Sequence, residues 1–407
     1  MTGKTGKTGK TGKTGNMLIA HGGGPTPVIN ASLRGAIEQA GRHKEIGNIF
    51  GARFGVEGIF KDELINLGAL ADEKIRLLSH TPASAIGSCR RKLADNDYPL
   101  VLDCLKRHNI RYFFYNGGND SMDTCDKIHK LACRSGYEVQ VIGIPKTVDN
   151  DLAGTDHAPG YGSAARYAAF SALELALDAA SLPARVVVLE LMGRNAGWIT
   201  AAASLFQALM PCEHLVYLPE LALDREKFLV DVREAYDRKR GLLISVSEGL
   251  KDTAGASLGD TGIRDEFGHI IHGGAAQHLA DLIMAETGLK ARAEKPGLLG
   301  RVSMAHQSPT DLAEAYAVGA AAVEAAVRGE NGSMVSIEAE REPAYTWRSG
   351  LVPLGLVANI EKTFPREWIN PAGNGILAPF LSYCAPLADA PAPSYASFLR
   401  DTIISAT

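Results

Sequence analysis

Three short runs combine the residue types that phosphoryl transfer requires: Gly117-Gly118-Asn119-Asp120-Ser121, Lys146-Thr147-Val148-Asp149-Asn150-Asp151 and Met192-Gly193-Arg194. Glycines let backbone approach phosphate oxygens, carboxylates take a proton or hold a metal, and Lys and Arg neutralise anionic oxygens. In the second run two carboxylates stand at i and i+2, so on an extended backbone they project to one side. One can then serve as a base while the other holds a metal or orients the loop. Asp and Asn clusters after strands also form turns. Lys146, directly before this cluster, adds the partner a phosphate needs and favours the chemical reading.

Each run follows an apolar, β-like stretch, at residues 112–115, 139–144 and 186–191. Functional side chains at the carboxyl ends of successive strands are the layout of an open α/β sheet with a ligand crevice. Upstream, residues 17–20 read as a strand, Gly22-Gly23-Gly24-Pro25 as a turn, and residues 28–40 as an amphipathic helix ended by Gly41. A strand, a glycine turn and a helix N-terminus form an anion site, although many α/β proteins begin this way. Asp120 or Ser121 can cap a helix with Met122, Cys125, Ile128, Leu131 and Ala132 on one face and Gly136 at its end. Residues 164–180 read as another helix, 241–247 as a strand and 251–270 as a polar, Gly-rich loop. Beyond residue 330 the pattern is less legible. Alternating strands and helices point to a parallel sheet covered on both faces. The functional runs extend from residue 22 to 248, so at least two α/β units are expected.

The 407 residues are 46% hydrophobic, enough for a large core and long for one domain. A net charge of −4 gives no general reason to expect nucleic-acid binding. The six cysteines show no CxxC and no disulfide-like spacing, so they read as reduced thiols of a cytoplasmic protein. No membrane span is expected, because the apolar stretch 196–210 is too short, and no secretory h-region follows the N-terminus. Residues 2–15 repeat Thr-Gly-Lys and read as a disordered tail. Its glycines, at 3, 6, 9, 12 and 15, never stand five apart, so the recurring GKT is not a Walker A loop. His269, His272 and His278 have no converging carboxylate motif and read as ordinary surface or core residues.

Taken together, the runs resemble the phosphofructokinase family, and within it the branch that uses pyrophosphate. The resemblance covers about residues 17–387. By resemblance Asp149 is the catalytic base, with Lys146 and Thr147 beside it in the catalytic run, and Thr147 and Asp151 stand at sugar-contact positions. Asp120 stands where ATP-using members carry glycine, at the place a nucleotide α-phosphate must pass. Two like charges about 4 Å apart repel by about 4 kcal/mol at an effective dielectric near 20, which costs several hundred-fold in affinity. Lys146 likewise replaces a glycine of ATP users and supplies the charge a bare pyrophosphate needs. Gly23, Gly24, Arg90 and Gly118 complete the implied donor contacts. Met192, Gly193, Arg194 and Glu248 match the fructose 6-phosphate runs. Arg185, seven residues before Met192, has the spacing of the arginine that members lend across a subunit contact. Lys295-Pro296-Gly297-Leu298-Leu299-Gly300-Arg301 resembles the last phosphate-binding stretch without its usual Arg-Gly-Gly, and implies Lys295 and Arg301 as sugar-phosphate contacts.

Two departures stand out. Asn119 replaces the aspartate that helps hold Mg²⁺ and remains the implied metal position through its amide oxygen. Val28 replaces a glycine of the first loop.

The resemblance implies a two-lobed α/β fold, each lobe a mainly parallel, Rossmann-like sheet covered by helices. Residues 16–161 plus about 302–370 would form a donor lobe, and 162–301 plus about 371–407 a sugar-phosphate lobe. The implied reaction is Mg²⁺-dependent, reversible transfer from pyrophosphate to the 1-hydroxyl of fructose 6-phosphate, in a homodimer or homotetramer. An ATP-dependent sugar-phosphate kinase of the same fold, or a non-catalytic sugar-phosphate sensor, is the alternative. Asp120 and Lys146 oppose the first and Asp149 the second.

Overall fold

The computed structural model describes residues 14–182, 185–239, 241–264, 270–272 and 274–396. The Thr-Gly-Lys tail lies outside the described residues up to residue 13. Its last glycine, Gly15, already belongs to the first strand and bonds the carbonyl of Glu45 at 3.0 Å.

The strands, in chain order, are β1 (Gly15–His21), β2 (Ile46–Ala52), β3 (Leu64–Asn66), β4 (Ile110–Gly117), β5 (Gln140–Pro145), β6 (Arg185–Leu191) and β7 (Glu213–Tyr217). They continue with β8 (Gly241–Ser247), β9 (Asp260–Arg264), β10 (Ile270–His272), β11 (Lys290–Glu294), β12 (Ser333–Glu340) and β13 (Thr346–Pro353). The described residues within Met1–Ala164 and Arg301–Thr363 form one compact unit, and those within Ala165–Gly300 and Phe364–Thr407 form another.

The first unit holds a seven-stranded sheet in the order β13-β12-β5-β4-β1-β2-β3. Its inner pairs are parallel, and β3 and β13 close it as antiparallel edges. The central strands are apolar throughout because helices cover both faces. Successive side chains alternate between those faces. Leu18, Phe113, Tyr115 and Val141 pack toward Val101, Leu105, Met122 and Ile128, on the helices Asp97–Arg107 and Asn119–Arg134. Met17, Tyr112, Phe114 and Ile142 pack toward Leu33, Val318 and Val323, on the helices Ile29–Ala40 and Pro309–Val327.

Buried polar groups tie the two stretches of this unit together. The Asp311 carboxylate accepts from the amides of Gly160 at 2.8 Å and Ser163 at 2.9 Å and from the Ser163 hydroxyl, and burial pushes its carboxyl up to about 6. His157 sits between Asp156 at 2.8 Å and Glu314 at 2.6 Å.

The second unit holds a four-stranded parallel sheet in the order β11-β6-β8-β7. Val186, Val188, Leu242 and Ile244 pack on Phe228, Val232, Leu279 and Ile283 of the helices Arg225–Lys239 and Ala275–Thr287. Trp198 gathers Phe364, Trp368 and Tyr383 around it, with ring centroids 5.1, 6.0 and 5.4 Å away.

Several expectations change. The stretch read as a loop contains strand β9, paired antiparallel with β10 through Arg264 with Ile270 and Asp260 with His272. The less legible stretch after residue 330 is the β12–β13 hairpin. The apolar stretch 196–210 breaks into the short helix Trp198–Ala202 and a 3₁₀ turn, Gln207–Leu209. Among the described residues no helix is long and apolar enough to cross a membrane. All six cysteines are free. His278 is exposed on its helix, while His269 and the His272 side chain fall outside the described residues.

Candidate active site

In the first unit the chain leaves β1 for β2 on one side and later returns to β4 on the other. The loops after β1 and β4 therefore diverge, which is where an open α/β sheet leaves a crevice. The turn holding Gly23 and Gly24 follows β1, Gly118, Asn119 and Asp120 follow β4, and the run from Lys146 to Asp151 follows β5. The sheet thus brings these predicted donor and catalytic residues to the carboxyl ends of three neighbouring strands. Cross-loop bonds fix them there. The amide of Gly22 donates to Asn116 at 2.9 Å, that of Gly23 to Cys89 at 2.9 Å, and that of Lys146 to Gly117 at 3.1 Å.

The Lys146 side chain is buried, and its ammonium donates to the Gly24 carbonyl at 2.8 Å. Burial lowers its pKa to about 8; Asp149 and Asp151 oppose the drop, while Arg90 and Arg301 add to it. A methyl group on Gly24 would stand 2.9 Å from Arg301 Nη1 and 3.2 Å from Arg90 Nη2, and one on Gly23 would stand 3.2 Å from Lys146 Nζ. Three cations therefore crowd two glycines, an arrangement suited to a compact polyanion. Arg301, expected among the sugar-phosphate contacts, lies with Arg90 at the Gly24 turn that Lys146 also reaches. It belongs to the first unit because the chain re-enters that unit at this residue.

The loop after β5 is not extended. Asn150 takes left-handed backbone with φ 54°, so Asp149 and Asp151 flank a bend rather than two positions of a straight strand. Thr147 organises both. Its hydroxyl accepts from the Asp149 amide at 3.1 Å and bonds the Asp151 carboxyl. Asp149 is half-buried. Asp151 is half-buried too; burial raises its pKa, with the Thr147 bond working against the rise. Asp151 Oδ1 is buried without a hydrogen-bond partner. Asp120 is exposed at the start of its helix.

These oxygens are the hard donors that Mg²⁺ prefers, and the unpaired Asp151 oxygen fits such a cation. Three carboxylates do not converge here. Among the described residues, the group whose ligand atoms all lie within 4.8 Å is Asp62, Cys104 and His108. There Asp62 is already paired with His108 and Arg107. Mg²⁺ ordinarily takes only one or two carboxylates and completes its shell with substrate phosphates and water. The residues therefore fit a metal that arrives with the donor.

In the second unit β6 and β8 are neighbours, so their carboxyl ends bring Met192, Gly193 and Arg194 beside Glu248. The amide of Glu248 donates to Leu191 at 3.0 Å and that of Gly249 to Gly193 at 3.3 Å. Gly193 has φ 137°, and a methyl group there would stand 2.5 Å from the Ala196 carbonyl, so the turn needs glycine. Burial raises the Glu248 pKa; the Gly193 amide, Arg194 and Lys295 pull it down, and Glu190 pushes it up. Lys295 stands 3.0 Å from Glu190, which also accepts from the amides of Gly274 and Ala276 at 3.0 Å each. Tyr167, Glu190, Met192, Ile199, Pro296 and Gly300 line a small depression here. Arg194 is exposed.

Arg185 is not brought to this group. It begins β6, while Met192 follows the end of that strand, roughly 20 Å away at 3.3 Å per residue. It pairs with Asp178 at 2.9 Å. Two residues were not anticipated. Glu190 was hidden inside a run read as apolar, although one carboxylate in a buried strand is itself a signal. His21 ends β1, where burial holds its pKa down to about 3 and its Nδ1 bonds Ser84 at 2.7 Å. Nothing in its local spacing marks it.

The Phosphofructokinase family model matches residues 16–326. A pyrophosphate--fructose 6-phosphate 1-phosphotransferase of Halomonas elongata is 43% identical over 382 residues, covering 91% of each chain. One of Xanthomonas campestris pv. campestris is 41% identical over 388 residues, covering 93% of this chain and 92% of its own. Among solved structures, the pyrophosphate-dependent phosphofructokinase of Nitrosospira multiformis superposes with a TM-score of 0.84 at 39% identity, covering 95% of both chains. Glycine loops at three parallel strand ends, cations around the first of them, and a family match through both units have one reading: the chain is a member of the phosphofructokinase family.

Proposed function

We propose that this chain catalyses reversible transfer of a phosphoryl group from pyrophosphate to the 1-hydroxyl of D-fructose 6-phosphate, giving phosphate and D-fructose 1,6-bisphosphate. The observation that carries the donor assignment is the buried Lys146 ammonium on the Gly24 carbonyl, with Arg90 and Arg301 against the same turn. That charge density suits a short polyanion and leaves the site one role, binding phosphates. Asp120 opposes a nucleotide by charge and bulk.

Donor binding is assigned to the unit with the seven-stranded sheet, through Gly23, Gly24, Arg90, Gly118, Lys146 and Arg301. Sugar-phosphate binding is assigned to the other unit, through Met192, Gly193, Arg194, Glu248 and Lys295. Asp149 takes the proton of the attacking hydroxyl as the phosphoryl group moves in line. Thr147 holds Asp149 and Asp151 in register. Asp151 and Asp120 are the residues suited to hold Mg²⁺, which would neutralise charge on the transferring group when bound. Arg185 serves the site of a second copy, because its own strand carries it away from the residues it should join; the enzyme is thus a homodimer or homotetramer. Free cysteines support a cytoplasmic enzyme.

Phosphorus NMR of the protein with Mg²⁺, fructose 6-phosphate and pyrophosphate tests the reading. Loss of the pyrophosphate signal with growth of inorganic phosphate and one new sugar phosphate ester is expected. Turnover with ATP but not pyrophosphate, or with neither, would reject it.

A further inference from the structure

Asn119 opens the helix Asn119–Arg134 directly after Gly118. One atom of its side-chain amide lies 3.1 Å from the carbonyl oxygens of both Val357 and Ile360. Those two carbonyls at 3.1 Å can only accept, and they outweigh the Asp151 carbonyl, 3.4 Å from the amide's other atom, so the shared atom is the nitrogen and both its hydrogens are used. The same stretch reaches the helix again one turn on. Asn359, in left-handed backbone with φ 61°, donates from Nδ2 to Asp123 Oδ1 at 2.9 Å.

The other end of this stretch holds the loop that carries Asp149. The Lys362 amide donates to the Asp151 carbonyl at 2.8 Å. Its ammonium, buried in the same place, donates to Asn150 Oδ1 at 3.3 Å and to the Asp156 carbonyl at 2.6 Å. Leu152 and Glu361 form a further backbone bridge. Residues 357–362 thus grip the first turn of the donor helix and the catalytic loop at once.

We propose that residues 357–362 are a positioning strap for the phosphoryl-transfer loop, and that Asn119 anchors the strap through its amide nitrogen instead of ligating the metal. The proposal rests on the reaction proposed above. It accounts for the residue type. A carboxylate at this position would face two carbonyl oxygens with no proton to offer either, whereas an amide satisfies both. The family's aspartate and this asparagine would then do different work, and the metal would depend on the carboxylates of Asp120 and Asp151.

The test compares wild type with Asn119→Ala, Asn119→Asp and Asn359→Gly, the last keeping the left-handed backbone while deleting the bond to Asp123. Two readouts are taken: hydrogen exchange of the amides at residues 357–362, and kinetics with pyrophosphate across a Mg²⁺ titration. In Asn119→Ala, exchange at the Lys362 amide should rise at least about tenfold. Its kcat should fall about tenfold or more, with both KM values and the Mg²⁺ half-saturation held within about threefold. Asn359→Gly should move both readouts the same way by less, and decides the matter should Asn119→Ala fail to fold. The proposal is overturned by unchanged exchange at 357–362 in the variant that folds. It is equally overturned if Asn119→Asp keeps kcat and tightens Mg²⁺ about tenfold, the signature of a metal ligand. A wild type inert to pyrophosphate would defeat the proposed reaction, and the exchange data would still decide the strap.

Discussion

The Lys146 ammonium rests on the Gly24 carbonyl at 2.8 Å, a contact across 122 residues of sequence that fixes where the buried lysine stands. Its pKa, lowered to about 8 mainly by burial, lies within reach of an ordinary assay. A lysine is cationic below its pKa and neutral above it. The KM for pyrophosphate should therefore rise as pH climbs through about 8, by up to about tenfold per unit. With donor bound the lysine stays charged, so kcat should change little. Lys146→Arg keeps its charge throughout this range and should flatten the rise. The same slope in wild type and variant would show that the lysine does not report on donor binding.

Asp149 is half-buried and held by the Thr147 hydroxyl at 3.1 Å from its amide. Asp149→Asn keeps that backbone bond and removes the base. We expect kcat to drop at least about 10²-fold with substrate binding nearly unchanged. A variant within a few-fold of wild type would reassign the proton.

Donor choice should follow Asp120 and Lys146. Asp120→Gly removes the carboxylate, and weak ATP use should appear. Lys146→Gly should cut pyrophosphate use sharply. Both act on one donor, so their effects should not add. The measurement is kcat/KM for both donors in wild type and each single variant. ATP preference in wild type, or unchanged selectivity in both variants, contradicts this account.

Arg185 should act on another copy's sugar phosphate. Arg185→Ala should raise the KM for fructose 6-phosphate while leaving that for pyrophosphate unchanged. Light scattering at assay concentration should find at least a dimer. A fully active monomer would exclude the shared site.

Much of this architecture is legible in the residues. The apolar runs at 112–115, 139–144 and 186–191 become β4, β5 and β6 because a strand buried on both faces has no polar side. Glycine clusters mark the loops that follow, since close approach of backbone to an anion restricts residue choice more than packing does. Contacts closed over long sequence distances are not legible. Arg301 meets Gly24 only after the chain re-enters the first unit. The contacts of Asn119 with Val357 and Ile360 span more than 230 residues of sequence. The bend at Asn150 was hidden because asparagine suits extended and left-handed backbone alike. In β13 most side chains are exposed, so its composition carries little of the alternation that marks a buried face.

The interrupted course of the first unit has a consequence in time. Synthesis proceeds at about 5–20 residues per second, so the roughly 200 residues from Ala164 to Thr363 take on the order of 10–40 s. Within that interval β5 waits for β12 (Ser333–Glu340), the amides of Gly160 and Ser163 wait for the Asp311 carboxylate, and the catalytic loop waits for Lys362, which arrives after the other two. A nascent chain can collapse around β1, β4 and β5 early, but it carries a bare parallel edge and an unanchored catalytic loop until the stretch Arg301–Thr363 is made. The four-stranded sheet of the other unit, drawn from the contiguous stretch Ala165–Gly300, meets no such delay. The catalytic loop is thus completed only by the returning stretch Arg301–Thr363, and the nascent edge of β5 is where premature pairing between neighbouring chains would begin.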